Sequence, residues 1–200
     1  MSTIKISPGN SKLGSIPSVS LPAVVTCREC TCHKKCYARK LERLRPAVRN
    51  AYRHNLDILT SDPDTYWREV EASIMMSRFF RFHVSGDIPD AQYFNKMVEI
   101  AERNKHCQIL CFTKKYEIVN DYVADNWEVS DNLHIVFSAW DNLPIDNRYE
   151  FPVAYVRFKD GHTAAPVNAY HCSGNCTECA KTDDGCWNLK AGEAVVFDEH

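Results

Sequence analysis

Glycine is scarce in this chain, seven residues in 200, and none of them builds the glycine-rich loop that cradles a nucleotide phosphate. No metalloprotease helix motif is present either, and no internal repeat or low-complexity segment breaks the composition. No apolar run reaches the roughly 20 residues that a membrane-spanning helix needs. The opening stretch MSTIKISPGNSKLGS is polar, without the apolar core of a secretory signal, so the expectation is a cytoplasmic protein with no membrane partner. A formal net charge of −2 gives no global electrostatic reason to bind nucleic acid.

What the chain does have is cysteine: ten residues, eight of them in two tight groups near the ends. The first group is Cys27, Cys30, Cys32 and Cys36, and the second is Cys172, Cys176, Cys179 and Cys186. Four thiols within ten or fifteen residues can wrap a loop around one soft metal centre. A disulfide framework would suit a small secreted domain, but 200 residues with 44% hydrophobic content can bury a core without staples. A reducing compartment and clustered cysteines together favour metal. Zinc takes paired Cys-x2-Cys knuckles, which Cys27/Cys30 and Cys176/Cys179 would supply, at the cost of stranding the other four thiols. Two 4Fe-4S clusters, one per group, use all eight, so iron–sulfur is favoured and zinc is the alternative.

Between the groups the pattern alternates. Residues 1–20 are rich in Ser, Gly and Pro and are expected to form an extended or partly disordered arm, followed by a single α/β domain over 21–200. The β-branched run at 21–26 reads as a strand with the first cysteine loop at its carboxyl end. Helical periodicity runs from Tyr37, interrupted at Pro46, and a second helix start stands at Pro63. Strands are expected at 79–84, 108–112, 133–138, 153–158 and 194–198, with helices at 89–103 and 115–124. Alternating strands and helices predict a parallel sheet built by right-handed crossovers, with ligands beyond the carboxyl ends of its strands.

The segments TCRECTCHKKCYA, FRFHVSGDIPDAQYF and HCSGNCTECAKTDDGCW together resemble the phage gene-product-88 family over nearly the whole chain. That resemblance implies a phage or prophage origin, hence the cytoplasm of the host cell, and an iron–sulfur centre, but no established reaction. More distantly, a cysteine loop after the first strand followed by β/α units is similar to a trimmed radical-SAM barrel. The fold expected is therefore α/β, a partial, barrel-like parallel sheet with outer helices and two cysteine-rich metal-binding loops. Radical-SAM enzymes carry Cys-x3-Cys-x2-Cys after the first strand. Here that spacing occurs at Cys172, Cys176 and Cys179, near the other end of the chain.

Several other residues are candidates. Asp87, in the Ser85-Gly86-Asp87 turn beyond a strand end, and Lys114 are expected to contact a cofactor, with Arg157 as a further anion ligand and Trp140 and Trp187 as shields against water. His83 is expected to face the opposite side from Phe82 and Val84, and Cys107 and Cys111 to share one core face as small hydrophobes. Between Arg28 and Arg53 nine basic residues face two acids, which leaves the remainder of the chain at −9. The expected function is electron transfer or redox sensing with an unidentified redox partner. The alternatives are a zinc-stabilised nucleic-acid-binding module, contacting phosphates through Arg39, Arg43, Arg45, Arg49 and Arg53, and a radical-SAM-like enzyme if one cluster has an open iron.

Overall fold

The computed structural model describes residues 3–27, 32, 35–141, 143–182 and 185–199. Seven strands make one sheet, all neighbours parallel: β1 (Ser18–Val19), β2 (Phe79–Phe82), β3 (Gln108–Thr113), β4 (Leu133–Ser138), β5 (Val153–Arg157), β6 (Tyr170–His171) and β7 (Ala194–Asp198). Their spatial order is β1-β2-β3-β4-β5-β7-β6, nearly the order of the chain. Because the right-handed crossovers from β1 to β5 each add the next strand on the same side, their helices collect on one face, whereas the connection from β6 back to β7 runs the other way and carries its helix to the opposite face.

That helical layer consists of α3 (Pro46–Ser61), α4 (Pro63–Met75), α5 (Ala91–Arg103) and α6 (Tyr116–Asn126). Its inward stripe includes Tyr66, Val70 and Ile74 of α4 and Phe94, Met97 and Ala101 of α5, packed on Phe80, Phe82, Ile109, Cys111, Ile135 and Phe137 of the sheet. The period of two in each strand sends Leu110, Val136, Ala154 and Val195 to the opposite face. The helices α3 to α6 leave that face uncovered. Leu13 and Ile16 of the N-terminal stretch, Trp187, and α7 (Cys176–Thr182) cover it instead.

The sheet is open. β1 and β6 are edge strands of two residues each and do not pair with one another, so the barrel-like expectation is corrected to an open parallel sheet. The expected strand at 21–26 is corrected too. The strand is β1, upstream, and residues Ala23–Cys27 form the short helix α1. Pro22 fits the first turn of a helix, and its carbonyl accepts from both the amide and the hydroxyl of Thr26, at 3.1 and 2.9 Å. The N-terminal stretch turns at 11–13, supplies β1 and is tied down against the domain. The amide of Ile4 donates to Glu69 (2.6 Å) and that of Lys5 to Asn55 (2.6 Å), while Leu13 and Ile16 are buried.

Pro46 separates α2 (Tyr37–Leu44) from α3, and Asp62 and Asp90 cap α4 and α5 by accepting from Thr65 and Tyr93. The two-residue β6 has no counterpart among the strands expected from the sequence. Among the described residues no helix is long and apolar enough to cross a membrane.

Candidate functional site

The second cysteine group assembles on the sheet face opposite α3 to α6, in the connection from β6 back to β7. Cys172 follows β6 and its amide donates to the Val196 carbonyl (3.0 Å), which fixes it to β7. Cys176 and Cys179 lie one turn apart on α7, so both point the same way. The N-terminal stretch positions that helix: the Cys176 amide donates to Lys12 O (2.9 Å) and the Thr177 hydroxyl to Leu13 O (2.9 Å). Cys186 sits in a 3₁₀ turn, Gly185–Trp187. Gly185 adopts φ +60°, and a Cβ there would stand 3.1 Å from the Cys179 sulfur, so glycine allows both the turn and the close approach.

All four thiols line one partly enclosed cavity, together with Arg81, Leu110, Phe112, Tyr170, Asn175, Trp187 and Phe197. Donors face the sulfurs. The Gly174 amide donates to Cys172 (3.4 Å), and the hydroxyls of Tyr170 and Ser173 lie 3.8 and 3.6 Å from Cys179. Burial pushes the Cys186 thiol up to about 12 and raises Cys176, while Arg81 pulls both the other way. Trp187 is buried beside this group, edge-on to Phe79 at 5.1 Å.

The first group lies elsewhere, at the carboxyl edge of the sheet. Cys27 ends α1, and Cys36 is the N-cap of α2, its sulfur accepting from the Arg39 amide at 3.5 Å. Cys30 lies outside the described residues. A hydrogen bond from Cys32 is the main cause that brings the Cys36 thiol down to about 6; backbone amides and Lys114 add to it, and burial opposes it. Lys114 also stands over the Trp140 ring at 5.8 Å. Tyr37 anchors α2 by donating to the Val84 carbonyl (2.6 Å), just past β2.

Cys36, Cys107, Cys111, Cys172, Cys176, Cys179 and Cys186 are in no disulfide. Among the described residues no set of three or more His, Cys, Asp or Glu side chains is arranged to hold a metal ion. Metal-binding loops are therefore not shown, although Cys172, Cys176, Cys179 and Cys186 line one cavity.

Asp87 is buried and turned inward. Its carboxylate accepts from the Thr113 hydroxyl (2.6 Å) and from the amides of Ile88 (2.8 Å) and Lys114 (3.0 Å), and its own amide donates to Thr26 (3.1 Å). It clasps α1 and the ends of β2 and β3 together, and burial raises its carboxyl above the ordinary range. His83 departs from the alternation assumed for it. Its φ of +58° breaks the strand, and its ring sits between Phe82 and Tyr93, on the helix side of the sheet. Arg157 pairs with Asp198 (2.8 Å) and His171. Cys107 and Cys111 are buried together in the helix-side core. The residue missed in the sequence is Arg81. The signal was there: one cation in the run Phe79–Phe82, at a position alternating away from the helical core.

A family model described as Gene product 88 matches residues 3–194. The Gene 88 protein of Mycobacterium phage L5 is 29% identical over 188 residues, covering 84% of this chain and 77% of that protein. The Gene 88 protein of Mycobacterium phage D29 is 27% identical over 180 residues, covering 80% and 74%. No solved structure matches the chain. With nearly its whole length matched by the family model and with phage proteins as its relatives, the chain belongs to the gene-product-88 family.

Proposed function

We propose that this chain is a phage-type iron–sulfur protein that carries electrons or senses redox state inside the host cell. The observation that carries the reading is the convergence of Cys172, Cys176, Cys179 and Cys186, which come from a strand end, a helix and a turn, on one cavity. The donor set fits the group. Four thiols supply the ligand type that iron–sulfur clusters take, the lining is largely apolar, and N–H and O–H donors face two of the sulfurs. Such donors and such burial are the means by which a protein sets a cluster's potential. A bound cluster supplies one-electron redox chemistry. Cys27, Cys32 and Cys36, with Cys30, would hold a second cluster, with Lys114 beside it. Asp87 supports that edge from within.

Zinc knuckles built from Cys27/Cys30 and Cys176/Cys179 find less support, because Cys176 and Cys179 keep company with Cys172 and Cys186. The test is anaerobic purification with iron, sulfide and zinc analysis. A brown protein with iron and acid-labile sulfide is expected; a colourless zinc protein overturns the reading.

A second reading, SAM cleavage at an open iron, draws on one observation: a near-sequential parallel sheet with a cysteine group at its carboxyl edge. With four thiolates completing each centre, incubation with dithionite and SAM should yield no 5′-deoxyadenosine. Clear production by the wild-type protein would favour the enzyme.

A further inference from the structure

Arg81 projects from the middle of β2 into the cavity that the second cysteine group lines. It makes no ion pair with any described carboxylate, its Nε is buried without a hydrogen-bond partner, and its guanidinium lies over the Phe112 ring at 4.6 Å. A cation taken out of water without an anion is expensive, and an aromatic face repays only part of that cost. The groups that share its cavity and can become anionic are the four thiols and the Tyr170 phenol, and only the thiols are gathered as a set.

We propose that Arg81 is the counter-charge of the centre held by Cys172, Cys176, Cys179 and Cys186, a positioning residue that sets how tightly the centre is held and how readily it is reduced. The proposal rests on the iron–sulfur reading above. Reduction adds a negative charge beside the guanidinium, so a fixed cation favours the reduced form and raises the potential. The position also bears on the first group. Lys114, which acts on Cys36, is two residues along β3 from Phe112, a rise of about 7 Å in a parallel strand. The charge of Arg81 reaches Tyr37 at that edge as well as Cys176 and Cys186 on the face.

The experiment is an EPR-monitored redox titration, with iron content per chain, of full-length protein carrying Cys32→Ala and Cys36→Ala to silence the first group. To it are added Arg81→Gln or Arg81→Lys. The Gln variant is expected to shift the reduction equilibrium at least tenfold toward the oxidised form, a fall of about 59 mV for one electron. It should also lose iron faster to a chelator. The Lys variant keeps the charge and is expected to stay near the parent in both readouts. A Gln variant that binds iron with an unchanged midpoint overturns the proposal, as does a Lys variant shifted as far as Gln. If the Gln variant does not fold, the Lys variant decides alone: a midpoint near the parent's supports the proposal, and a fall of about 59 mV despite the retained charge overturns it. A wild-type protein that binds no iron defeats the iron–sulfur reading itself, and this inference with it.

Discussion

The two cysteine groups have the same number of thiols at different spacings, and the fold gives them opposite surroundings. At the carboxyl edge, Cys36 caps a helix and is brought down to about 6 by the Cys32 thiol, backbone amides and Lys114. On the covered face, Cys186 is held among Trp187, Leu110 and Phe197 and is pushed up to about 12 by burial. A thiolate is stabilised where donors and cations converge and destabilised where water is excluded. Spacing alone therefore identifies a ligand set but not its chemistry. At the edge Cys36 is prepared to react or bind as thiolate, while on the face burial holds the protons on Cys176 and Cys186 until a partner takes their sulfurs.

The sharpest test of that contrast compares one substitution in each group. Cys179→Ala removes a sulfur packed against Gly185, on a helix that holds the N-terminal stretch to the sheet. It is expected to lose the face group's iron and to lower Tm by about 10 °C, the equivalent of roughly 3 kcal/mol in a chain of this size. Cys27→Ala, at the end of a five-residue helix at the edge, should lose the edge group's iron and leave Tm within a few degrees. Iron analysis with thermal melts of both variants checks this. Equal losses of Tm would break the comparison.

How much of this was legible depended on whether the information was local. The central strands and the helices at Pro63 and Asp90 follow from periodicity and caps, and the structure places them within a few residues of expectation. Residues 21–26 carry the β-branched composition of a strand, but the slot beside β2 belongs to Ser18–Val19, whose register with Arg81 and Phe82 no local pattern encodes. β6 is two residues long and exists only because β7 offers it an edge. The second cysteine group was legible as a cluster of thiols, and the structure brings its four sulfurs to one cavity. That it would lie on the face opposite α3 to α6, with Arg81 beside it, depended on the direction of winding and on a single charge in an apolar strand.

A second test probes the boundary between the two regions, where His83 ends β2. Burial lowers its ring to about 3, and neither ring nitrogen has a partner, so the folded protein holds it neutral. An unfolded chain binds a proton there below about pH 6.5. The folded chain does not until about pH 3, so this contribution to stability is full above pH 6.5 and falls as the pH drops through that window. His83→Asn, which tolerates the positive φ, is expected to flatten the acid limb by a few kcal/mol between pH 6 and pH 4. Urea unfolding of both proteins across that range measures it. Parallel acid limbs would remove His83 as the cause.

Smaller effects are expected from the clasp beneath the edge group. In Asp87→Asn the new amide faces donors from Thr113, Ile88 and Lys114, so one buried N–H loses its acceptor, at a cost of about 1–3 kcal/mol. Iron in the face group should be unchanged while iron in the edge group becomes more labile. Loss of iron from both groups would show that the two sites are not separable.

The smallest effect on stability, and the one that bears on partners, concerns the basic helices beside the edge group. Arg45, Arg49 and Arg53 repeat every four residues along α3 and its cap, and none makes an ion pair among the described residues. Changing exposed Arg45 and Arg53 to Ala should alter stability by no more than about 0.5 kcal/mol per site, as for surface positions generally, while any larger change in the triple variant would come from Arg49, half-buried with its Nε out of water. If electron transfer is the function, the wild-type protein should bind DNA or RNA only weakly at physiological salt. If the stripe instead contacts phosphates, three contacts would give a log–log salt slope of about −3, abolished in the triple variant. Fluorescence anisotropy with a labelled duplex and a labelled single strand over a salt series separates the two outcomes. Tight binding that vanishes with the three arginines would recast the edge group as a zinc-type support for a nucleic-acid surface and leave the face group as the redox site.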